Sequence, residues 1–244
     1  MSNRLLRSGG AITATRIVSK LVTKAVFDYN LIEDGDRVLV AASGGKDSTV
    51  MAMTLAKIRP ALKRDYTLEA LHISSDFCAC CQKSVLRGRL AEWGVPFTDL
   101  AVPVIGRLKP GRKMNCYWCS TQRRTELLRY AMAGGFTKIA LGHHADDIIE
   151  TFFMNLCGKG TLETMPPLLR YRKYPAALIR PLALVEERQI ITAAAENGIL
   201  KAACTCPYGI NSKRRDYRKR LAAFTANSSE KRRMLAAILK IPPL

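Results

Sequence analysis

Val38-Leu39-Val40-Ala41-Ala42-Ser43-Gly44-Gly45-Lys46-Asp47-Ser48 is the stretch around which the chain can be organised. Its first half is a short apolar run rich in β-branched residues. Beyond Ser48, the apolar residues of Thr49-Val50-Met51-Ala52-Met53 recur at helical spacing. The pattern predicts strand, glycine turn, helix. Two adjacent glycines let the backbone turn tightly and approach a ligand with no side chain between. The N–H groups of the turn and the first helical turn then face outward at the positive end of the helix dipole, a setting for an anion. Ser43, Ser48 and the Lys46 ammonium add side-chain donors. The spacer that a Walker A loop carries before its Gly-Lys-Ser/Thr is absent.

Composition narrows the class of partner. Lys and Arg number 39 against 20 Asp and Glu, a formal net charge of +19 over 244 residues. A balance so far from neutral favours a polyanion, nucleic acid above all, with solubility as the competing explanation. No stretch reaches the roughly eighteen consecutive apolar residues of a membrane span. Residues 1–11 are too polar and glycine-rich for a signal peptide, so a cytoplasmic location and no membrane partner are expected. Eight cysteines in a cytosolic chain point to metal, cluster or redox chemistry before disulfides.

Taken in order, residues 1–11 form a loose basic arm. A helix from Ile12 to Tyr29 follows, with Arg16, Lys20 and Lys24 as a basic face. The turn Glu33-Asp34-Gly35-Asp36 delivers the chain into the strand before the glycine loop. Strands are expected at Leu68–Ser74, Val95–Val102 and Lys138–Leu141. Helices are expected at Ser84–Trp93, at Ser120–Ala133 with Ser120 as cap, and from Ala145 to about Leu156. Strands alternating with helices of this length imply an α/β fold, a doubly wound, mostly parallel sheet with its ligand at the strands' carboxyl ends. Three segments are expected: an N-terminal arm and helix over 1–36, an α/β domain carrying the glycine loop over 37–186, and a basic helical region over 187–244. Within the last, residues 207–244 hold ten Lys and Arg against two acids.

Chemistry-bearing residues gather after the strands. Gly142-His143-His144-Ala145-Asp146-Asp147 opens a helix on the same sheet edge as the glycine loop. Asp146 can simply be an N-cap, or the histidines and acids can bind metal. If a phosphate ligand sits in the loop, the acids are placed to hold Mg²⁺ or handle a proton. The candidate nucleotide-binding set is Ser43, Gly44, Gly45, Lys46, Asp47 and Ser48, with His72 and Ile73 from the second strand and Gly142 and His143 from the later one. Cys116-Tyr117-Trp118-Cys119 lies before a helix whose dipole favours thiolates. C-x-x-C alone suits zinc, a redox dithiol or an iron–sulfur cluster, and zinc would need two more ligands such as Cys204 and Cys206. Cys157 reads as a small core residue.

Ser43–Ser48 resembles the PP-loop of the N-type ATP pyrophosphatases, which hold the pyrophosphate portion of ATP and transfer AMP to a substrate oxygen. A longer series resembles the tRNA 2-thiocytidine synthetases, the TtcA family. It comprises Asp28–Val38 leading into the loop, Cys116–Cys119 with Arg123-Arg124, Gly142–Asp147 with Glu150-Thr151, Met165-Pro166-Pro167, and Ile179-Arg180-Pro181-Leu182. These motifs keep their order over roughly residues 12–220.

The resemblance implies an ATP-dependent tRNA sulfurtransferase. Its 4Fe-4S cluster would rest on Cys116, Cys119 and one of the C-terminal pair. Cys206 is preferred to Cys204, because Cys206-Pro207-Tyr208 resembles the third-ligand segment of related tRNA thiolases. Three thiolates leave one iron open for a sulfide. The implied reaction adenylates the C2 oxygen of a cytidine, position 32 of the anticodon loop, and sulfide then displaces AMP. Lys46, Asp47, Asp147 and Arg180 carry it, with Lys46 and Arg180 neutralising phosphate charge. The base has to leave its stack, and Tyr117, Trp118 or Tyr208 can receive it. The cofactors implied are ATP, Mg²⁺ and the cluster. The partners are tRNA, a sulfur donor (a cysteine desulfurase or free sulfide) and, as an option, a second copy forming a homodimer.

Two features depart from the family pattern. Its C-x-x-C-G segment reads Cys204-Thr205-Cys206-Pro207 here, and Cys78, Cys80 and Cys81 lie outside it. Those three can relay sulfur, bind another metal or be incidental. A tRNA 2-thiouridine synthetase of the TtuA type shares the loop and three-cysteine pattern but carries terminal zinc clusters. A lysidine synthetase has no need of the cysteines. A non-catalytic iron–sulfur RNA-binding protein would release no AMP.

Overall fold

The computed structural model describes residues 13–77, 83–199, 213–225 and 227–241. Cys78, Cys80, Cys81, Cys204, Cys206 and Tyr208 lie outside them, as does the expected N-terminal arm. Helix α1 (Ala14–Asp28) leads into β1 (Asp36–Ala41), α2 (Lys46–Ile58), β2 (Tyr66–Ser75), α3 (Lys83–Glu92) and β3 (Phe97–Val102). Then come α4 (Cys116–Ala133), β4 (Lys138–Ala140), α5 (Ala145–Lys159), β5 (Leu168–Leu169) and β6 (Ala177–Ile179). Helices α6 (Glu187–Glu196), α7 (Lys213–Phe224) and α8 (Ser228–Ile238) complete the order. No helix among the described residues is long and apolar enough to cross a membrane.

The strands form one sheet in the order β3-β2-β1-β4-β6-β5, parallel throughout except for the β5–β6 edge pair. The α/β, doubly wound expectation therefore holds. The β5–β6 edge carries no sequence signal, because strands of two and three residues are too short for alternation to register. From β1 the chain winds outward to β3, then returns to β4 on the other side of β1. That reversal opens a crevice beyond the carboxyl ends of β1 and β4.

Side-chain alternation assigns the two faces. Val38, Val40, Leu68 and Ala70 point into a core shared with α1, α2, α3 and α6. Leu39, Leu71, Ile73 and Ile139 point the other way, onto Leu127, Leu128 and Ala131 of α4. A third cluster joins Ile148, Ile149 and Phe152 of α5 to Leu235 and Ile238 of α8. Helix α1 buries Val18, Val22, Ala25 and Val26, one stripe at helical spacing. Its free N–H groups are met by Glu196, whose carboxylate accepts from Ala14 and Thr15 at 2.7 and 2.8 Å.

Three local expectations are corrected. Helix α4 begins at Cys116, capped by Asn115, whose side chain accepts from the Trp118 N–H at 2.9 Å. Ser120 is therefore inside the helix, and both cysteines occupy its first turns. Helix α5 is capped at His144 rather than Asp146, with the Asp147 carboxylate reaching back to the His144 N–H at 3.2 Å. Cys157 is exposed near the end of α5, not in a core, because the buried face of that helix runs through Ile148, Ile149 and Phe152.

Candidate active site

The glycine loop is held by its own serines. Gly44 adopts φ +81°, a left-handed conformation that suits glycine. Gly45 is the N-cap of α2 and offers no side chain to the first-turn N–H groups. These donors are thus left for a ligand. The Ser43 Oγ accepts from the Gly45 N–H at 3.3 Å and lies 2.9 Å from the Ser48 Oγ, which donates to the Gly45 carbonyl at 3.1 Å. From β2, the His72 Nδ1 lies 2.7 Å from the Ala42 carbonyl and anchors the residue before the loop. Burial lowers the pKa of His72, only partly offset by that carbonyl, so the neutral ring with Nδ1 as donor is favoured.

Gly142 brings the β4–α5 loop against this structure. A Cβ built on Gly142 would stand 3.0 Å from the Ser48 backbone nitrogen and 3.2 Å from its Cα. Neither backbone atom can rotate out of the way, so a side chain here would have to push the loop and the start of α2 apart by a few tenths of an ångström.

Beyond the strand ends lies a cavity of about 380 Å³. Its walls include Ser43, Asp47, Ser48, Ile73, Gly142, His143 and Asp147 from the candidate set, with Leu71, Leu141 and Leu178 as unforeseen apolar lining. The far wall is α4, which contributes Ser120, Arg123 and Arg124. Cys116 and Cys119 belong to the preceding turns of that helix, Cys116 exposed and Cys119 half-buried. Three residues apart, they share one helical face. A pair of accessible thiols suits a soft metal centre such as an iron–sulfur cluster. Among the described residues no group of three or more His, Cys, Asp or Glu is arranged to hold a metal ion.

Two of the expected cations are turned elsewhere. The Lys46 ammonium does not line the cavity. It pairs with Asp47 at 3.0 Å and Glu187 at 2.9 Å. Burial alone would lower its pKa, but those two carboxylates outweigh it and raise the value. Arg180 is buried on the β5–β6 side, beside Met165, Pro166 and Pro167, and donates to the Pro166 carbonyl. Burial, helped by the charge of Arg124, pulls its pKa down to about 10, so it still carries its charge at neutral pH.

Behind Lys46, the starts of α5 and α6 meet α7 and α8 through charge. Asp146 accepts from Lys231 at 2.8 Å and from the Glu187 N–H at 2.7 Å. Burial pushes the pKa of Asp146 up, but these donors overcome it and hold the value below the ordinary aspartate range. Buried Glu150 accepts from the Arg218 Nε at 2.6 Å, and Arg218 also lies 3.4 Å from Glu187. Glu187 was not among the candidates. Its Val185-Glu186-Glu187 context reads as an ordinary helix start, and 141 residues separate it from Lys46.

A doubly wound sheet, a Ser-Gly-Gly-Lys-Asp-Ser turn at its switch point and a cavity above that turn define a PP-loop protein. Residues 13–201 match the family model of the PP-loop domain. Over 236 residues the chain is 35% identical to the tRNA-cytidine(32) 2-sulfurtransferase of Geobacter metallireducens, covering 93% of this chain and 91% of that protein. The enzyme of the same name from Syntrophotalea carbinolica is 37% identical over 79% of this chain and 75% of its own. The chain belongs to the PP-loop family and, within it, to the tRNA-cytidine(32) 2-sulfurtransferases. Its fold is also that of the U34-tRNA thiolase NcsA from Methanococcus maripaludis, solved with its 4Fe-4S cluster. That match has a TM-score of 0.77 at 20% identity, over 94% of this chain and 80% of that one.

Proposed function

We propose that this protein thiolates a cytidine of tRNA, position 32 of the anticodon loop, by adenylating the C2 oxygen with ATP and replacing it with sulfur. One observation carries the reading: α4 holds Cys116 and Cys119 in its first turns and lines the cavity above the glycine loop with its next ones. Sulfur chemistry and nucleotide chemistry thus share one rigid element.

In this reading the triphosphate lies on the N-terminus of α2, with Ser43 and Ser48 as donors. Arg123 and Arg124 neutralise charge that develops on the phosphates, a place the sequence had given to Arg180. Lys46 joins them by exchanging Glu187 for a phosphate oxygen. Asp47 and Asp147 hold Mg²⁺, and Asp147 is near enough to the same cavity to handle a proton. Cys116, Cys119 and Cys206 hold the 4Fe-4S cluster, which supplies an open iron site for carrying sulfide when bound. The substrates are ATP, tRNA and a sulfur donor, and the reaction is cytoplasmic.

The test is an anaerobic assay of iron, acid-labile sulfide and AMP release on an unmodified tRNA transcript, with Cys116→Ala beside the wild type. About four irons and four sulfides per chain are expected, with thiolation and iron both lost in the variant. Zinc without sulfide, or full thiolation by Cys116→Ala, would overturn the proposal.

A further inference from the structure

The start of α4 carries a surface outside the residues that line the cavity. Tyr117 stands on it between Cys116 and Cys119 with 82% of its surface exposed, the most solvent-open large apolar side chain among the described residues. Its neighbour Trp118 behaves oppositely. The indole Nε1 donates to the Val104 carbonyl at 2.9 Å, and the ring packs into the α4 side of the core. One of two adjacent aromatics therefore builds the protein, and the other does nothing for it.

The loop leading into α4 presents Lys109, Arg112 and Lys113, all exposed and joined to no acid among the described residues. Exposed lysines and arginines are commonly only solvated. These three, however, directly follow a segment, Val104–Arg107, that is fastened at several points. Asp76 accepts from the Ile105 and Gly106 N–H groups at 3.0 Å, and Arg107 pairs with Glu126 of α4 at 2.7 Å. Trp118 adds its bond to Val104. Val104–Arg107 is thus docked on α4, and Lys109, Arg112 and Lys113 lie on the stretch between that dock and Tyr117, four to eight residues before it in the chain.

We propose that this surface binds an unpaired RNA loop, with Tyr117 stacked on a base and Lys109, Arg112 and Lys113 on the flanking phosphates. The inference rests on the tRNA-thiolation reading above. A duplex offers phosphates to the cations but keeps its base faces stacked. Only a single-stranded loop offers the ring a partner.

The full chain, kept anaerobic, is titrated by fluorescence anisotropy with a hairpin RNA carrying an unpaired loop and with a blunt RNA duplex of equal phosphate number. Wild type is expected to favour the hairpin. Tyr117→Ala should weaken hairpin binding about tenfold and leave duplex binding unchanged, while Tyr117→Phe and Tyr117→Trp keep it. Replacing the three cations with alanine should weaken both RNAs and flatten the salt dependence. Hairpin affinity unchanged in Tyr117→Ala, or an equal loss on both RNAs, overturns the proposal. So does a loss that accompanies lost iron, since Tyr117 would then act through the cysteines. A wild type that binds ATP but neither RNA overturns the thiolation reading as well.

Discussion

Asp146 and Asp147 are neighbours in the first turn of α5, yet they face different worlds. Asp146 looks toward the C-terminal helices, where Lys231 and the Glu187 N–H hold both of its oxygens. Asp147 looks toward the cavity, beside His143 and Ser48. Successive residues on a helix are about 100° apart, enough to point one carboxylate at the C-terminal helices and the next at the cavity. Adjacent acids in a sequence motif thus have separate surroundings.

The sharpest way to break this comparison is to remove the charges one at a time. Asp147→Asn should reduce thiolation about a hundredfold or more while the urea midpoint stays near that of wild type. Asp146→Asn should do the reverse, lowering stability by about 2 kcal/mol with a much smaller effect on turnover in the folded protein. Similar turnover losses in both variants would erase the distinction.

A smaller effect is expected at Glu187, where the two regions meet. Glu187→Gln removes one of the two carboxylates holding Lys46 and should tighten ATP binding about threefold, the scale of a partly exposed ion pair. Weaker ATP binding in equilibrium titration would mean that Glu187 aims the ammonium rather than restrains it.

The mildest perturbation is pH. Burial raises the carboxyl pKa values of Asp146 and Glu187, but their cationic and N–H partners outweigh it and leave both lowered. Their contribution to stability is therefore complete above the unfolded values, roughly 4. It is lost as pH falls through the still lower folded values. Urea midpoints should hold level from neutral pH to about 5 and fall below about 4, with a shallower fall in Asp146→Asn. An identical slope in that variant would place the acid sensitivity elsewhere.

Much of the crevice is legible in the sequence itself. The β-branched run Val38–Val40, the paired glycines and the helical spacing after Ser48 each report local geometry, and together they locate the crevice. His143 and Asp147 were legible because a strand, a glycine and an acidic helix start sit side by side in the chain. Lys46 was legible as a residue but not as a conformation, since its partner Glu187 is distant in sequence. Arg180 is a related case: an arginine in a motif says charge, whereas its burial beside Pro166 depends on how β5 and β6 pair. The division of labour between Tyr117 and Trp118 is likewise invisible until Val104 is seen to lie next to the indole.

Gly142 fixes the tolerance of the whole crevice. A Cβ at this position would meet the Ser48 backbone at 3.0 Å, so the loop after β4 and the start of α2 leave little room for a side chain where the two halves of the sheet diverge. How closely these two segments approach is thereby a matter of main-chain packing. Widening the crevice for a bulkier nucleotide is then a matter of moving a strand rather than of choosing a side chain at position 142.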